Sequence, residues 1–171
     1  NQRRGALFFI DLDDFKGLND TRGHHMGDLL LQQVAQRLVA CVSEGDTVAR
    51  LGGDEFVVML EGLSPGTLEA VKQAEAVGNT ILHALNEPYV LQDNVHHNTP
   101  SIGVVLFGEP QGSVEELLKQ ADLAMYRAKA SGRNAMCFFD PQMQSVLAER
   151  VALEKELRIA LQRQHFVLHY Q

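Results

Sequence analysis

Two glycines, Gly52 and Gly53, stand between two short apolar runs, and this pattern constrains the fold more than any other in the chain. Residues 47–51 and 56–60 are rich in β-branched and large apolar side chains, which favours strands. A Gly-Gly pair between two such runs predicts a β-hairpin, because glycine adopts positive φ angles without steric cost. The turn also lacks Cβ atoms, so a phosphate group could approach its backbone closely.

The predicted turn ends in two carboxylates, Asp54 and Glu55, and a second acidic stretch follows the first predicted strand. That strand spans 6–10, is entirely apolar and leads directly into Asp11. If Asp11 lies beside the hairpin, the three carboxylates offer the hard oxygen ligands that Mg²⁺ or Mn²⁺ prefers. The alternative is that these acids only form turns and cap helices, where Asp is also common.

The composition is that of a globular protein and argues against nucleic acid as a partner. Of the 171 residues, 45% are hydrophobic and 22% are charged, and the formal net charge is −7. This length suits one domain of ordinary size, and the acidic balance disfavours a general affinity for a nucleic-acid backbone. Cys41 and Cys137 lack the spacing of zinc ligands, so we expect reduced thiols. The adjacent His24 and His25 are expected on a solvated loop and not at a metal site.

The chain begins at Asn1 and not at methionine, which indicates a piece of a longer protein. No run approaches the ~20 apolar residues of a membrane-spanning helix. We therefore expect a soluble piece with a cytoplasmic location, which leaves open a membrane anchor elsewhere in the parent chain.

Hydrophobic periodicity and end signals predict three helices. These are 29–42, a second from 64 to 87, and a third from 113 to 132. Ser64 and Pro65 have the N-cap and N1 arrangement that opens a helix. Ser113 is followed by Glu116 at the spacing of a capping box.

The remaining apolar segments predict strands and complete the fold class. They are 89–95, 101–107 and 135–139, and a polar loop over 96–99 separates the first two. Helices and strands thus alternate, while the central hairpin requires antiparallel pairing. The sequence therefore predicts an α/β (α+β) fold, with a mixed, mainly antiparallel sheet flanked by helices.

The composition changes at Pro141. Residues 141–165 form a charged segment with opposite charges within one helical turn, which predicts a linker or docking helix. Residues 166–171 alternate like a strand but have no partner in sequence. We therefore assign 1–140 to one domain, 141–165 to a linker helix and 166–171 to the start of a second domain.

Four sequence blocks resemble, in order and spacing, the diguanylate cyclase (GGDEF) domain. The blocks are 8–20, 23–28, 52–56 and 126–134. The resemblance covers nearly all of 1–140 and implies a ferredoxin-like, nucleotidyl-cyclase-like core. The segment 166–171 is similar to the start of an EAL phosphodiesterase domain, which would make the parent a GGDEF–EAL hybrid.

The resemblance implies an enzyme that joins two GTP molecules into cyclic di-GMP and releases pyrophosphate, working as a homodimer with two divalent metals per site. Asp11 and Asp54 match the family's metal-binding carboxylates, and the backbone carbonyl of Leu12 is implied as a further ligand for Mg²⁺ or Mn²⁺. Glu55 matches a position assigned to metal binding or deprotonation. Which of Asp54 and Glu55 acts as the catalytic base stays open.

The resemblance also implies a substrate site. Asn19 and Asp28 match the family's base-reading pair, and an amide with a carboxylate complements the guanine edge. Further positions implied for substrate binding are Lys16, Gly52, Gly53, Lys129 and Arg133. The alternatives are structural: Asn19 forms a turn, Asp28 caps a helix, and the cations near the end of the last helix complement its dipole.

The inhibitory product site of the family is degenerate in this sequence. Its Arg-x-x-Asp run corresponds to 43–46, where Ser43 replaces the arginine and Asp46 is retained. Because one phosphate-binding side chain is missing, we predict weak or absent inhibition by cyclic di-GMP.

Three functions remain in competition. The first is an active diguanylate cyclase, because every matched catalytic position holds a chemically competent residue. The second is a GTP-binding regulatory module that controls a neighbouring EAL domain, and the third is a purely structural domain. The third gives no reason to keep Asp11, Asp54 and Glu55 all acidic in a chain that already carries −7.

Overall fold

The computed structural model of the chain describes residues 4–108 and 113–141. The strands are β1 (Arg4–Leu12), β2 (Thr47–Gly52), β3 (Glu55–Leu63), β4 (Tyr89–Leu91), β5 (Asn94–His96), β6 (Pro100–Phe107) and β7 (Ala135–Phe138). The helices are α1 (Phe15–Arg22), α2 (His24–Ala40), α3 (Thr67–Asn86) and α4 (Val114–Ala130). Apart from Pro141, the predicted linker helix over 141–165 and strand over 166–171 lie outside the described residues.

Five strands form one sheet in the order β2-β3-β1-β6-β7. The central strand β1 is antiparallel to both β3 and β6, and β2 is antiparallel to β3. Among the described strands of this sheet, only β7 runs parallel to its neighbour, β6. The mixed, mainly antiparallel sheet and the β2–β3 hairpin are therefore confirmed, and Gly53 has a φ of 50° at the hairpin turn.

The strand β1 contributes to a hydrophobic core on each face of the sheet, because successive side chains of a strand point to opposite faces. Phe8 and Ile10 are fully buried in the larger core, which also contains residues of α2 and α3. Leu7 and Phe9 belong to a smaller core with Met125 of α4. As a result, α2 and α3 cover one face and α4 covers the other.

Gly103 of β6 allows α4 to approach the sheet closely. A Cβ atom at this position would collide with the backbone oxygen of Ala121 and the backbone nitrogen of Met125. With only a hydrogen at that point, α4 packs on both β6 and β1. This packing carries the C-terminal end of α4 to the region where β1 ends.

The helix α3 begins two residues later than the Ser64-Pro65 signal predicts. Its N-cap is Gly66, which provides no side-chain cap, and the first helical residue is Thr67. The Ser64 hydroxyl accepts a hydrogen bond from the Gly66 amide at 3.4 Å, a local turn that competes with a helix start. The prediction of Ser64 as N-cap was therefore wrong.

The segment 89–95 forms a separate two-stranded hairpin and not one strand. β4 and β5 pair with each other, and Gln92 in their turn has a φ of 55°. Tyr89 anchors the hairpin, because its ring is fully buried and its hydroxyl donates to the carbonyl of Leu85 at 2.9 Å.

The helix α1 was not predicted, because Phe15 and Leu18 are its only buried residues and make a weak periodic signal. The two histidines after it, His24 and His25, form the first turn of α2. Both are exposed, so the expected solvation is correct but the expected loop is wrong.

Cys41 and Cys137 are free and half-buried, as predicted for reduced thiols. Within 4–108 and 113–141, no helix combines the length and the apolar character that crossing a membrane requires.

Candidate active site

The two acidic stretches meet where β1 ends beside the β2–β3 hairpin. In the antiparallel register Asp11 lies opposite Glu55. The backbone amide of Leu12 donates to the carbonyl of Asp54 at 3.4 Å, which links the end of β1 to the turn. The sheet thus brings together residues more than forty positions apart in sequence, as the metal-site hypothesis requires.

A lysine from α4, which covers the same face of the sheet, completes this cluster. The Nζ of Lys129, on the last turn of α4, donates to Oδ1 of Asp11 at 2.7 Å. The two side chains are 31% and 11% exposed, so this is a largely buried ion pair. Such charge-assisted hydrogen bonds are stronger than neutral ones.

The environment of Asp11 pushes its pKa in opposing directions, with a net rise above the ordinary value. Burial is the largest cause, since it penalises the charged carboxylate. The hydrogen bond from Lys129 lowers the pKa, whereas the negative charges of Asp54 and Glu55 raise it. The carboxylates therefore feel one another's charge, and Lys129 provides the compensating cation.

The donor chemistry of this cluster suits a hard divalent cation, because every candidate ligand is an oxygen. Across the part of the chain that the structure describes, however, no three acidic, histidine or cysteine side chains converge closely enough to hold a metal ion. Asp11 directs one oxygen to Lys129 instead. A metal ion that took the same oxygen of Asp11 would displace Lys129 from it.

Asp13 is a buried residue whose importance the sequence analysis missed. It is 6% exposed, and its carboxylate accepts hydrogen bonds from the hydroxyls of Thr99 and Ser101 at 2.6 and 2.7 Å. The backbone amide of Asn134 also donates to it, at 3.1 Å. Asp13 therefore ties the end of β1 to the start of β6 and to the loop after α4. Its partners lie about ninety or more positions away, and no local pattern reports them.

The loop after α4 contains Arg133. Arg133 and Asn134 have φ angles of 62° and 47°, an uncommon conformation for two successive non-glycine residues. Arg133 lines a groove of about 500 Å³ together with the α1 residues Gly17 and Thr21 and with His97. It forms no ion pair with a described residue, and the same holds for Lys16, which is exposed on the first turn of α1.

The predicted base-reading residues lie on the neighbouring helices α1 and α2. The Oδ1 atom of Asn19 is buried without a hydrogen-bond partner and packs against Gly27, where any Cβ would collide with it. Asp28 is exposed and lines a groove of about 390 Å³ between α2 and the hairpin, together with Arg50 and Phe56. The alternative role of Asp28 as a helix cap does not apply, since α2 begins four residues earlier.

Residues 1–135 match the family described as "Diguanylate cyclase, GGDEF domain". The chain belongs to the GGDEF family. The bifunctional diguanylate cyclase/cyclic di-GMP phosphodiesterase MucR of Pseudomonas aeruginosa is 42% identical over 171 residues, which is 100% of this chain and 24% of MucR. The cyclic di-GMP phosphodiesterase NbdA of the same organism is 37% identical over 166 residues, 97% of this chain and 20% of NbdA. The chain thus spans a quarter or less of these relatives.

Solved structures of GGDEF domains share the fold. The GGDEF domain of TpbB (YfiN) from P. aeruginosa superposes with a TM-score of 0.78 at 34% sequence identity, covering 85% of this chain and 83% of that one. This likeness supports the predicted nucleotidyl-cyclase-like architecture of the GGDEF core.

Asp46, the acid of the predicted degenerate product site, has a structural role. One Asp46 oxygen accepts from the amide of Ser43 at 2.9 Å, and the other accepts from the amide of Glu61 at 3.1 Å. Both carboxylate oxygens are therefore engaged by the backbone. Asp46 therefore connects the segment before β2 to strand β3.

Proposed function

We propose that this chain is a diguanylate cyclase domain that condenses two GTP molecules into cyclic di-GMP and releases pyrophosphate. The observation that carries the proposal is the meeting of Asp11 and Glu55 on adjacent strands, with Lys129 against Asp11. An acidic pair beside a cation is suited to phosphoryl transfer, which depends mainly on positioning and charge neutralisation.

Different residues of the chain have different roles in the proposed reaction. Lys129 and Arg133 neutralise the charge of the substrate phosphates, the lysine as a point charge and the arginine as a bidentate fork. Asp54 or Glu55 accepts the proton of the attacking 3′-hydroxyl, and the glycine turn leaves room for the nucleotide. Asp11, Asp54, Glu55 and the Leu12 carbonyl would hold Mg²⁺ or Mn²⁺, which when bound would polarise the α-phosphate and lower the pKa of the incoming hydroxyl.

Asn19 and Asp28 select guanine in this proposal. The packing of Asn19 on α1 against Gly27 on α2, the residue next to Asp28, supports a joint role of these two side chains. Asp28 would accept from the ring N–H and the exocyclic amine of guanine, two donors that adenine does not present together.

The reaction needs a second copy of the domain. One site holds one GTP, so two domains must bring their sites face to face for each 3′-hydroxyl to reach the other α-phosphate. We propose a homodimer as the active form, a cytoplasmic location, and an EAL domain in the same parent chain, in line with the bifunctional name of MucR.

The test is direct. The purified chain is incubated with GTP and Mg²⁺ at a concentration that permits dimers, and cyclic di-GMP is measured by chromatography. Glu55→Gln keeps the side-chain volume and removes the charge, so we expect folded protein without turnover. Product formation by this variant at the wild-type rate would contradict the role of Glu55.

A second candidate is a GTP-binding regulatory module for an adjacent EAL domain. Two observations favour it: the cluster around Asp11 is not arranged as a three-ligand metal site among the described residues, and NbdA is named as a phosphodiesterase. Guanine nucleotide binding without any cyclic di-GMP, in a dimeric preparation, would select this function.

A further inference from the structure

Lys129 has two incompatible tasks at the same site. In the structure its ammonium group donates to Asp11 at 2.7 Å, whereas the proposed function requires Asp11 for a metal and Lys129 for the substrate phosphates. A magnesium ion binds a carboxylate oxygen at about 2.0–2.1 Å, so a metal that takes Oδ1 must displace the ammonium group, and a metal on the other oxygen of Asp11 lies beside a positive charge that repels it. The ion pair with Lys129 therefore opposes metal binding at Asp11.

We propose that Lys129 is the resident counter-ion of Asp11 and is displaced when metal and nucleotide bind together. This inference rests on the proposed function and adds a regulatory property to the same site. In the absence of nucleotide, the ammonium group holds the position of the cation and weakens metal binding. When a nucleotide binds, its phosphates bind Lys129 and release it from Asp11, which then binds the metal.

The surroundings favour such an exchange. Asp11 is largely buried beside Asp54 and Glu55, so some cation must compensate the three carboxylates at all times. Lys129 also has a second acid, Asp122, two helical turns earlier on α4; burial raises the pKa of Asp122, and the charge of Lys129 partly offsets this rise. The lysine can therefore leave Asp11 without losing all of its negative neighbours.

The exchange makes metal and nucleotide binding cooperative, because each ligand removes the ion pair that opposes the other. Linkage requires the effect to be reciprocal. Metal alone should bind weakly, and metal should bind tightly when nucleotide is present. A cyclase with this property would avoid trapping a metal ion in an empty site.

The experiment measures Mn²⁺ binding without turnover, from the loss of the electron paramagnetic resonance signal of free Mn²⁺. In Lys129→Met, without nucleotide, we expect Mn²⁺ to bind about tenfold more tightly than in the wild type, since an opposite charge in contact shifts a carboxylate equilibrium by at least that factor. Lys129→Arg keeps the charge and should bind Mn²⁺ like the wild type. The matched control is Lys119→Met, an exposed lysine on the same helix, which should have no effect.

A second readout separates the inference from a folding defect. Mn²⁺ should raise the melting temperature of Lys129→Met more than that of the wild type, because metal replaces the missing counter-ion of Asp11. In the same variant, a GTP analogue with a methylene bridge between the α- and β-phosphates should bind more weakly at saturating Mg²⁺.

Equal or weaker Mn²⁺ binding by Lys129→Met, relative to Lys119→Met, would overturn the inference. This result is distinguishable from failure of the proposed function. A chain that makes cyclic di-GMP but shows no change in Mn²⁺ affinity refutes only the counter-ion role. A chain with the expected change in Mn²⁺ affinity but no product refutes only the cyclase activity.

Discussion

Replacing Asp13 with alanine should destabilise the fold strongly, although sequence patterns give the residue no special place. The substitution removes the acceptor of two hydroxyls and one backbone amide, those of Thr99, Ser101 and Asn134. Ser101 is fully buried, whereas the other two bonds are only partly buried. A buried donor left without a partner costs about 1–3 kcal/mol.

The size of the expected stability loss in Asp13→Ala depends on how deeply each of these three hydrogen bonds is buried. Ser101 should incur most of the cost of an unpaired buried group, and Thr99 and Asn134 should recover part of theirs from water. We expect Asp13→Ala to lower the free energy of unfolding by about 3 kcal/mol. Asp13→Asn should cost less, because its amide group can donate to a rotated hydroxyl while its oxygen still accepts.

Urea denaturation of the 171-residue chain, followed by circular dichroism, measures these differences by linear extrapolation. Asp14→Asn is the matched control, because Asp14 is exposed and has a φ of 56°, a conformation that asparagine tolerates. It should leave the stability nearly unchanged. If Asp13→Ala proves as stable as Asp14→Asn, the linking role assigned to Asp13 is wrong.

Three other expectations follow from the structure. Gly103→Ala should lower the free energy of unfolding by about 1–3 kcal/mol or more, because the new methyl group collides with the α4 backbone. Gly45→Ala is the control in the same urea assay, since a methyl group at Gly45 meets open space and should be tolerated. Asp28→Ala should lower the affinity for GTP relative to the affinity for ATP in competition binding, whereas Asp93→Ala should not. An unchanged preference for GTP would count against guanine recognition by Asp28. Burial raises the pKa of Tyr89 to about 12 from an unfolded value of 10.0, so its contribution is fully present below pH 10 and is lost as the pH rises towards 12. Stability should therefore fall more steeply between pH 10 and 12 in the wild type than in Tyr89→Phe, and parallel curves would contradict this.

Elements with strong local signals could be predicted from the sequence. The β2–β3 hairpin follows from two apolar runs around a glycine pair, and the start of α4 follows from Ser113, whose hydroxyl accepts from the Glu116 amide at 3.2 Å. The start of α3 could not be predicted in this way, because Ser64 uses its hydroxyl in a local turn two residues before the observed N-cap, Gly66. A helix-start signal and a turn signal involve the same residue types, and only the surrounding structure chooses between them.

In the candidate site, too, some features could be predicted from the sequence and others depended on long-range contacts. Its acidic residues were evident from the chain itself, since charge directly after a buried strand and at a glycine turn is costly without a cation. The ion pair of Lys129 with Asp11 and the three bonds of Asp13 were decided only by the tertiary structure. The physical reason is that contacts across about ninety or more positions depend on which strands become neighbours and on how closely α4 packs over Gly103. Residue spacing along the chain carries no information about either.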